Sequence, residues 1–371
     1  MRKRSPSPFG KLTATSALLL AVWLALLASC GGDGDGGAVI TPPAPPPSVA
    51  FRVETFLSNL DFPVTMRFAP DGRLFFNELR TGRVRVVVNG VLQAQPFATL
   101  PVEISGERGL LGLAFDPQFA SNRFVYVLHS DPSGVQRVVR FTDDNGTGTN
   151  PTVIVDNLPS ASNHNGGNIG FGPDGFLYVT IGDSLNPANA QDPNSLSGKL
   201  LRYNSNGTVV ATNPFGANNP AFNLGLRNSF DFTFHPQTGT VYASENGPDC
   251  DDEINRVVAG GNYGWRPNFP CGDTNPMFIA PLVRFTPVIA PTGITFYTGT
   301  VFPQFTGSLF LADLNEGRVR RFVVNEALQG QITSSEIVVN GGFGALVDIV
   351  QGSDGFIYFS STTAIMRIVP Q

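Results

Sequence analysis

A phrase repeated six times along the chain predicts an all-β protein, a six-bladed β-propeller of four-stranded antiparallel blades. The phrase runs aromatic or apolar residue, turn, Gly, alternating strand, with Asn122 at the turn position of the second copy. The copies cover residues 68–76, 115–128, 171–179, 234–242, 302–310 and 351–359. Their turns fall at positions 72, 122, 175, 239, 307 and 355, which are 50, 53, 64, 68 and 48 residues apart. Periods near 40–50 residues with four strands each are what propeller blades show. The Asp-Gly turn is a hairpin signal, since Gly accepts positive φ without steric cost. Composition is the second observation. Charged residues are only 14%, with 41 Gly, 30 Pro and 30 Phe, which suits short strands joined by tight turns. The third is the lack of any long window with apolar residues at helical spacing. A β-sandwich or β-helix is the alternative. The wider spacing between the third and fifth copies favours a propeller, whose insertions lengthen loops over one face.

The chain opens on a leader. Arg2, Lys3, Arg4 and Lys11 give a positive start, and residues 18–27 are an uncharged apolar run. That run is shorter than the roughly 20 residues a membrane span needs, and it ends in small residues as a secretory signal does. Its ending, Leu27-Ala28-Ser29-Cys30, resembles the lipobox of bacterial lipoproteins. The resemblance implies a signal peptide over 1–29, cleavage before Cys30 and acylation of that residue. Ordinary secretion, with Cys30 a stray thiol, is the alternative. Gly31 after the cysteine leans towards the periplasmic side of the outer membrane. Residues 30–50, rich in Gly, Asp and Pro, cannot bury a core and read as a flexible linker. Residues 51–371 are then one propeller domain.

The formal charge is −5, and without the four positive residues of the leader 20 cations face 29 anions. That balance disfavours nucleic acid, whose binding leans on phosphate neutralisation. No phosphate-binding Gly-rich loop, nucleophile elbow or zinc signature is present. Membrane contact is expected only through the lipid.

With Cys30 assigned to lipid, Cys250 and Cys271 are the one pair left for a disulfide in an oxidising compartment; a metal site using both thiols is the alternative. Between and around them, Asp249, Asp251, Asp252 and Glu253 put four acids in five residues. Clustered carboxylates suit calcium, which takes oxygen ligands; a solvated acidic loop explains them equally well.

Several phrases in order carry a wider resemblance. They are Gly109-Leu110-Leu111-Gly112-Leu113-Ala114-Phe115, His164-Asn165-Gly166-Gly167, Gln191-Asp192-Pro193-Asn194-Ser195-Leu196-Ser197-Gly198-Lys199, Gly225-Leu226-Arg227-Asn228, the stretch 247–265, and Ala290-Pro291-Thr292-Gly293. Together they span about residues 56–369 and resemble the soluble glucose/sorbosone dehydrogenase family, the aldose dehydrogenases that use pyrroloquinoline quinone (PQQ). The resemblance implies a six-bladed propeller with the quinone flat over its axis and calcium against it. It implies oxidation of an aldose at the anomeric carbon to a lactone, with hydride passing to the quinone. His164 matches the base, Arg227 and Asn228 the pair beside the quinone carbonyl, and Gly247 and Pro248 the carbonyls that hold the first calcium. Glu253 and Tyr263 match a second calcium site, which Asp252 would assist. Glu107 stands near the substrate position, and Asn163 precedes the base. His129 and His235 read as structural, and Trp265 as packing beneath its loop.

Two departures stand out. Asn315 replaces a quinone-binding lysine, and Ala345-Leu346-Val347-Asp348 replaces an Arg-x-Arg-Asp anchor. PQQ carries three carboxylates, each of which wants a cation. Arg318, Arg320 or Arg108 are the nearby substitutes. Two other functions therefore stay open: a quinone-free propeller lipoprotein that binds carbohydrate or a protein partner, and a calcium-dependent lactonase-type hydrolase.

Overall fold

The computed structural model describes residues 47–371. The leader, Cys30 and nearly all of the 30–50 linker lie outside the described residues. Six antiparallel sheets follow one another along the chain. Blade 1 is built from Pro63–Phe68, Leu74–Glu78, Arg83–Val88 and Val91–Leu92, with Ala98–Thr99 added. Blade 2 is Leu110–Phe115, Phe124–Ser130, Gln136–Asp144 and Thr147–Leu158. Blade 3 is Ile169–Phe171, Leu177–Ile181 and Lys199–Tyr203; isolated bridges from Leu201 to Ala221 and Tyr203 to Val209 stand where a fourth strand was expected. Blade 4 is Ser229–Phe234, Val241–Glu245, Asp252–Val257 and Val283–Phe285. Blade 5 is Pro291–Phe296, Leu309–Asp313, Arg318–Asn325 and Gln331–Asn340. Blade 6 takes Leu346–Gln351, Ile357–Ser361 and Ala364–Pro370 from the C-terminus. Its outer strand, Phe51–Ser58, comes from the other end of the domain and pairs with Ala364–Pro370 from Phe51↔Pro370 to Ser58↔Ala364. The pairing closes the ring and covers the edge an open sheet would leave.

Burial follows from this arrangement. A blade is covered on both faces by its neighbours, so its second strand is buried on both sides rather than alternating. Leu74–Glu78, Leu177–Ile181, Val241–Glu245, Leu309–Asp313 and Ile357–Ser361 are buried at every residue. Outer strands such as Gln331–Asn340 are largely exposed.

The repeated phrase sits in each blade between the first and second strands, all on one face. Gly72, Gly175, Gly239, Gly307 and Gly355 have φ between 70° and 87°. The aspartate of the phrase has a second use. Asp174 accepts from the Tyr178 hydroxyl and Asp354 from the Tyr358 hydroxyl, each at 2.8 Å. In blade 2 a helical turn, Phe119–Asn122, replaces the Asp-Gly turn, and Arg123 takes the left-handed position with φ 59°.

Five of the six inner strands begin with a register shift, between Pro63/Thr65, Leu110/Leu113, Ser229/Asp231, Pro291/Ile294 and Leu346/Asp348. A bulge turns the extra residue out of the ladder. Here it turns side chains towards the axis: Val64, Leu111 and Val347 form one apolar cluster with Leu79, Phe62 and Phe230. Blades 1 and 4 stand opposite each other in a six-blade ring, so a cluster joining Val64 to Phe230 crosses the axis.

Asp231 and Asp348 directly follow Phe230 and Val347, and Arg67 of blade 1 reaches both of these carboxylates, in blades 4 and 6, each at 3.4 Å. Both carboxylates are buried and also accept backbone N–H groups: Asp231 from Phe232 and Ile294, Asp348 from Met66 and Ile349. Burial pushes both carboxyls up, and the Arg67 guanidinium opposes it. Removing one member of a buried ion network strands the others, typically at about 3–5 kcal/mol. Arg67→Leu should therefore lower the unfolding free energy at neutral pH by that order, read from urea denaturation as a lower midpoint. The loss should shrink at pH 5, because burial raises both carboxyls and acid favours their neutral forms once the guanidinium is gone. A midpoint equal to wild type at both pH values would remove the axial network from the stability account.

Candidate active site

The loops that lead into the inner strands, and those that join second to third strands, emerge on the face opposite the Asp-Gly turns. Three stretches meet there. His164 lies in the loop before blade 3 at φ 59°, a left-handed conformation uncommon for a residue with a side chain. Its backbone N–H donates to Glu107 Oε2 at 2.7 Å, and its Nδ1 lies 2.7 Å from Asp183 Oδ1. Asp183 follows the second strand of blade 3. It is fully buried and accepts from the Leu185 N–H at 2.9 Å and from Trp265 Nε1–H at 2.8 Å. A carboxylate can only accept, so Nδ1 of the imidazole carries a proton, and in the neutral ring Nε2 is then the atom with the lone pair. Gly182 is required between them, because a Cβ there would overlap the His164 carbonyl.

Arg227 and Asn228 lie in the loop before blade 4. Asn228 Nδ2 donates to Glu107 Oε2 at 3.3 Å, and its Oδ1 accepts from Gly166 N–H at 2.9 Å. Arg227 Nη1 donates to the Asn246 carbonyl at 2.9 Å, and its guanidinium lies 5.3 Å from the Trp265 ring centre. His164, Asn228 and Glu107 thus share one carboxylate oxygen, and Arg227 joins them through Trp265 and Asp183. Asp183 and Trp265 are the members of this group that sequence reasoning missed; Trp265 contacts both Asp183 and Arg227 as well as packing beneath its loop. His129 is buried against the Pro101 carbonyl, and His235 accepts from its own turn, so neither joins this group.

Beside this group is a pocket lined by Arg227, Glu245, Gly247, Pro248, Asp251, Glu253, Tyr263 and Trp265. Glu245 ends the second strand of blade 4. Its Oε1 accepts from the N–H groups of Arg227 and Asn228 at 2.6 and 2.7 Å, while its buried Oε2 has no partner. Burial, reinforced by the neighbouring Glu253, pushes the Glu245 carboxyl up to about 8. Burial likewise raises Glu253 to about 7. A buried carboxyl oxygen with no donor beside it can take a cation as its partner. Asp252, expected to assist there, is turned away. Its Oδ1 accepts from Gly247 N–H and its Oδ2 from Ile289 and Ala290 N–H, at 2.6 to 2.8 Å, which fixes the Gly247 loop against blade 5. Among the described residues no cluster of three or more His, Cys, Asp or Glu side chains has metal-ligand spacing. An ion here would therefore need carbonyl oxygens as well. Cys250 and Cys271 are disulfide-bonded with Cα atoms 5.9 Å apart, which leaves no thiols for a metal.

None of the expected substitute cations is free. Arg318 points outward to Glu316 and Asn340 at 2.7 and 2.9 Å. Arg320 is held by Asp313 at 2.9 Å, and Arg108 by Ser105 and Glu103. Asn315 donates to the Val288 carbonyl at 3.2 Å. Val347 belongs to the axial apolar cluster, and Asp348 pairs with Arg67 beneath it.

Comparison with known proteins adds to this geometry. The family model for glucose/sorbosone dehydrogenase matches residues 60–368. The chain is 28% identical to an aldose sugar dehydrogenase of Escherichia coli, over 86% of this chain and 93% of that protein. It is 32% identical to quinoprotein glucose dehydrogenase B of Acinetobacter calcoaceticus, over 68% of this chain and 60% of that one. Among solved structures, the PQQ-bound aldose sugar dehydrogenase of Streptomyces coelicolor superposes with a TM-score of 0.77 at 25% identity, covering 88% of this chain and all of that one.

The paired glutamates make the metal-free protein sensitive to alkali. Their folded pKa values stand above the ordinary 4.5, so their contribution to stability is full below about 4.5 and is lost as pH rises through 7 and 8. Melts in chelator should show this decline between pH 5 and 8.5. Calcium should raise the melting temperature more at pH 8 than at pH 5, and Glu253→Gln should flatten both effects. A variant with the same pH slope and the same calcium response as wild type would contradict the assignment.

Proposed function

Because the chain belongs to the glucose/sorbosone dehydrogenase family, we propose that it is a PQQ- and calcium-dependent quinoprotein that oxidises aldose sugars at the anomeric carbon to lactones, with His164 as base. The observation that carries this reading is the His164–Asp183–Trp265–Arg227 chain of contacts beside an apolar floor on the propeller axis.

The residues fit such a cofactor in part. The cluster of Val64, Leu111, Val347 and Phe230 offers an apolar surface for a planar ring system. Arg227, Asn228 and the Gly247–Pro248 backbone lie at its blade 4 side, and Asn315 borders the same face. Glu245 and Glu253, with Tyr263, would hold calcium in the adjoining pocket. When bound, the quinone supplies the two-electron acceptor for the anomeric hydride. The protein's part is then proton transfer and positioning. His164 Nε2 takes the proton of the anomeric hydroxyl, and Asp183 holds the ring in the required tautomer and offsets the charge it gains. Arg227, desolvated against Trp265, stabilises negative charge that develops beside it. Glu107 orients His164 and Asn228 and presents its second oxygen to a sugar hydroxyl. The product leaves as the lactone, and electrons pass to an external acceptor.

The absence of cations at Asn315, Ala345 and Val347 favours one rival, a propeller that binds sugar without quinone. A lactonase-type hydrolase is disfavoured because the axial carboxylates Asp231 and Asp348 are already paired with Arg67. Export and lipid anchoring through Cys30, on the periplasmic side of the outer membrane, are part of the proposal and rest on the leader sequence alone.

Purified protein mixed with PQQ and calcium should oxidise aldoses in the presence of an artificial electron acceptor. Loss of a general base typically costs about 10²–10⁴ in rate, so His164→Ala should fall by that order while quinone binding persists. Asp183→Asn should lower kcat and shift the pH–rate profile with little change in quinone affinity. No turnover and no quinone absorbance change at saturating PQQ would sink the dehydrogenase reading; unchanged rates in His164→Ala would refute its role as base.

A further inference from the structure

We propose that Arg80 supplies a cation that grips a carboxylate of the bound quinone, in place of those missing from blades 5 and 6. The inference rests on the quinone reading above. Arg80 lies in the loop of blade 1 between Leu74–Glu78 and Arg83–Val88, on the same face as His164 and Arg227. It is exposed, and among the described residues it makes no hydrogen bond or ion pair. The acid nearest to it along the chain, Glu78, is buried and already held by Arg85 at 2.9 Å and Thr81 at 2.8 Å.

Its position is fixed rather than adrift. The guanidinium stands 5.6 Å from the centre of the Phe62 ring, and Phe62 packs on the axial cluster. The preceding residue, Leu79, belongs to that cluster; its N–H donates to the Phe62 carbonyl at 3.0 Å, and its carbonyl accepts from Leu110 N–H at 2.9 Å. The backbone beneath Arg80 is therefore welded to the floor on one side and to the strand following Glu107 on the other.

Ring geometry supplies the rest. Arg227 and the Gly247–Pro248 loop belong to blade 4, and blade 1 is its diametric neighbour. A planar ligand held at blade 4 and lying over Leu111, Val64 and Phe230 ends at blade 1. The other cations near that path are spent: Arg67 lies beneath the floor on Asp231 and Asp348, Arg108 is folded onto Ser105, and Arg318 and Arg320 serve blade 5 carboxylates. An arginine matches a carboxylate with a two-pronged fork, and resting on an aromatic face it is partly desolvated already.

The test is calorimetric titration of PQQ, and of its trimethyl ester, into the calcium-loaded protein. Arg80→Gln should weaken PQQ binding by about tenfold or more, the range for one charged hydrogen-bonded contact. Arg80→Lys should retain part of the affinity. Neither change should alter affinity for the triester or the melting temperature of the ligand-free protein. Wild-type PQQ affinity in Arg80→Gln overturns the inference, as does an equal loss for acid and ester, which would indicate packing rather than charge. If the wild-type protein itself fails to bind PQQ, the quinone reading falls and this inference with it.

Discussion

The antiparallel pairing of Phe51–Ser58 with Ala364–Pro370 is the contact on which the remaining architecture depends. It joins segments more than 300 residues apart and turns an open row of six sheets into a ring. Only a closed ring has an axis, and only at an axis can residues of blades 1, 2, 4 and 6 meet as Val64, Leu111, Phe230 and Val347 do. The bulges at the head of the inner strands convert that convergence into an apolar floor. The Arg67 network beneath it satisfies the buried Asp231 and Asp348 carboxylates, which an apolar axis could not tolerate unpaired.

On this floor the face bearing the long loops becomes chemically distinct from the other. The Asp-Gly turns are short, locally satisfied and built alike in blades 1, 3 and 6. The loops and strand ends on the opposite face carry His164, Asp183, Arg227, Glu245 and Trp265, whose hydrogen bonds run between blades 3 and 4. Two buried glutamates with raised pKa values, a left-handed histidine and an unpartnered arginine nitrogen on Arg227 lie close together there. Strain and unsatisfied polar groups concentrate where a ligand would relieve them, and the rest of the ring supplies the stability that tolerates them.

The propeller was legible because its signal is local. A turn that needs Gly, and an aspartate that caps a tyrosine four residues later, must recur in sequence wherever they recur in space. His164, Arg227 and Asn228 were legible through short contiguous phrases. Asp183 was not, because its partner His164 lies 19 residues away and its partner Trp265 82 residues away; the Gly182-Asp183 pair closing a buried strand is the one trace it leaves. Glu245 was hidden as the last residue of a strand, its importance visible only once Oε2 is seen to lack a partner. Arg318, Arg320 and Arg108 were misleading for the converse reason. They lie near the site along the chain, but the Glu316 and Asp313 carboxylates and the Ser105 carbonyl, two to seven residues away, hold them. Asp252 shows the same limit: an acid in an acidic loop, yet one that serves backbone N–H groups rather than a metal.

The central claim is that the axial floor and the blade 4 loop together form one quinone and calcium site. A crystal structure of the protein soaked with PQQ and calcium tests it most directly. The account predicts the planar quinone lying over Leu111, Val64, Phe230 and Val347, with calcium against the Gly247–Pro248 loop. Quinone density bound away from the axis, or an empty floor at saturating PQQ, would contradict it.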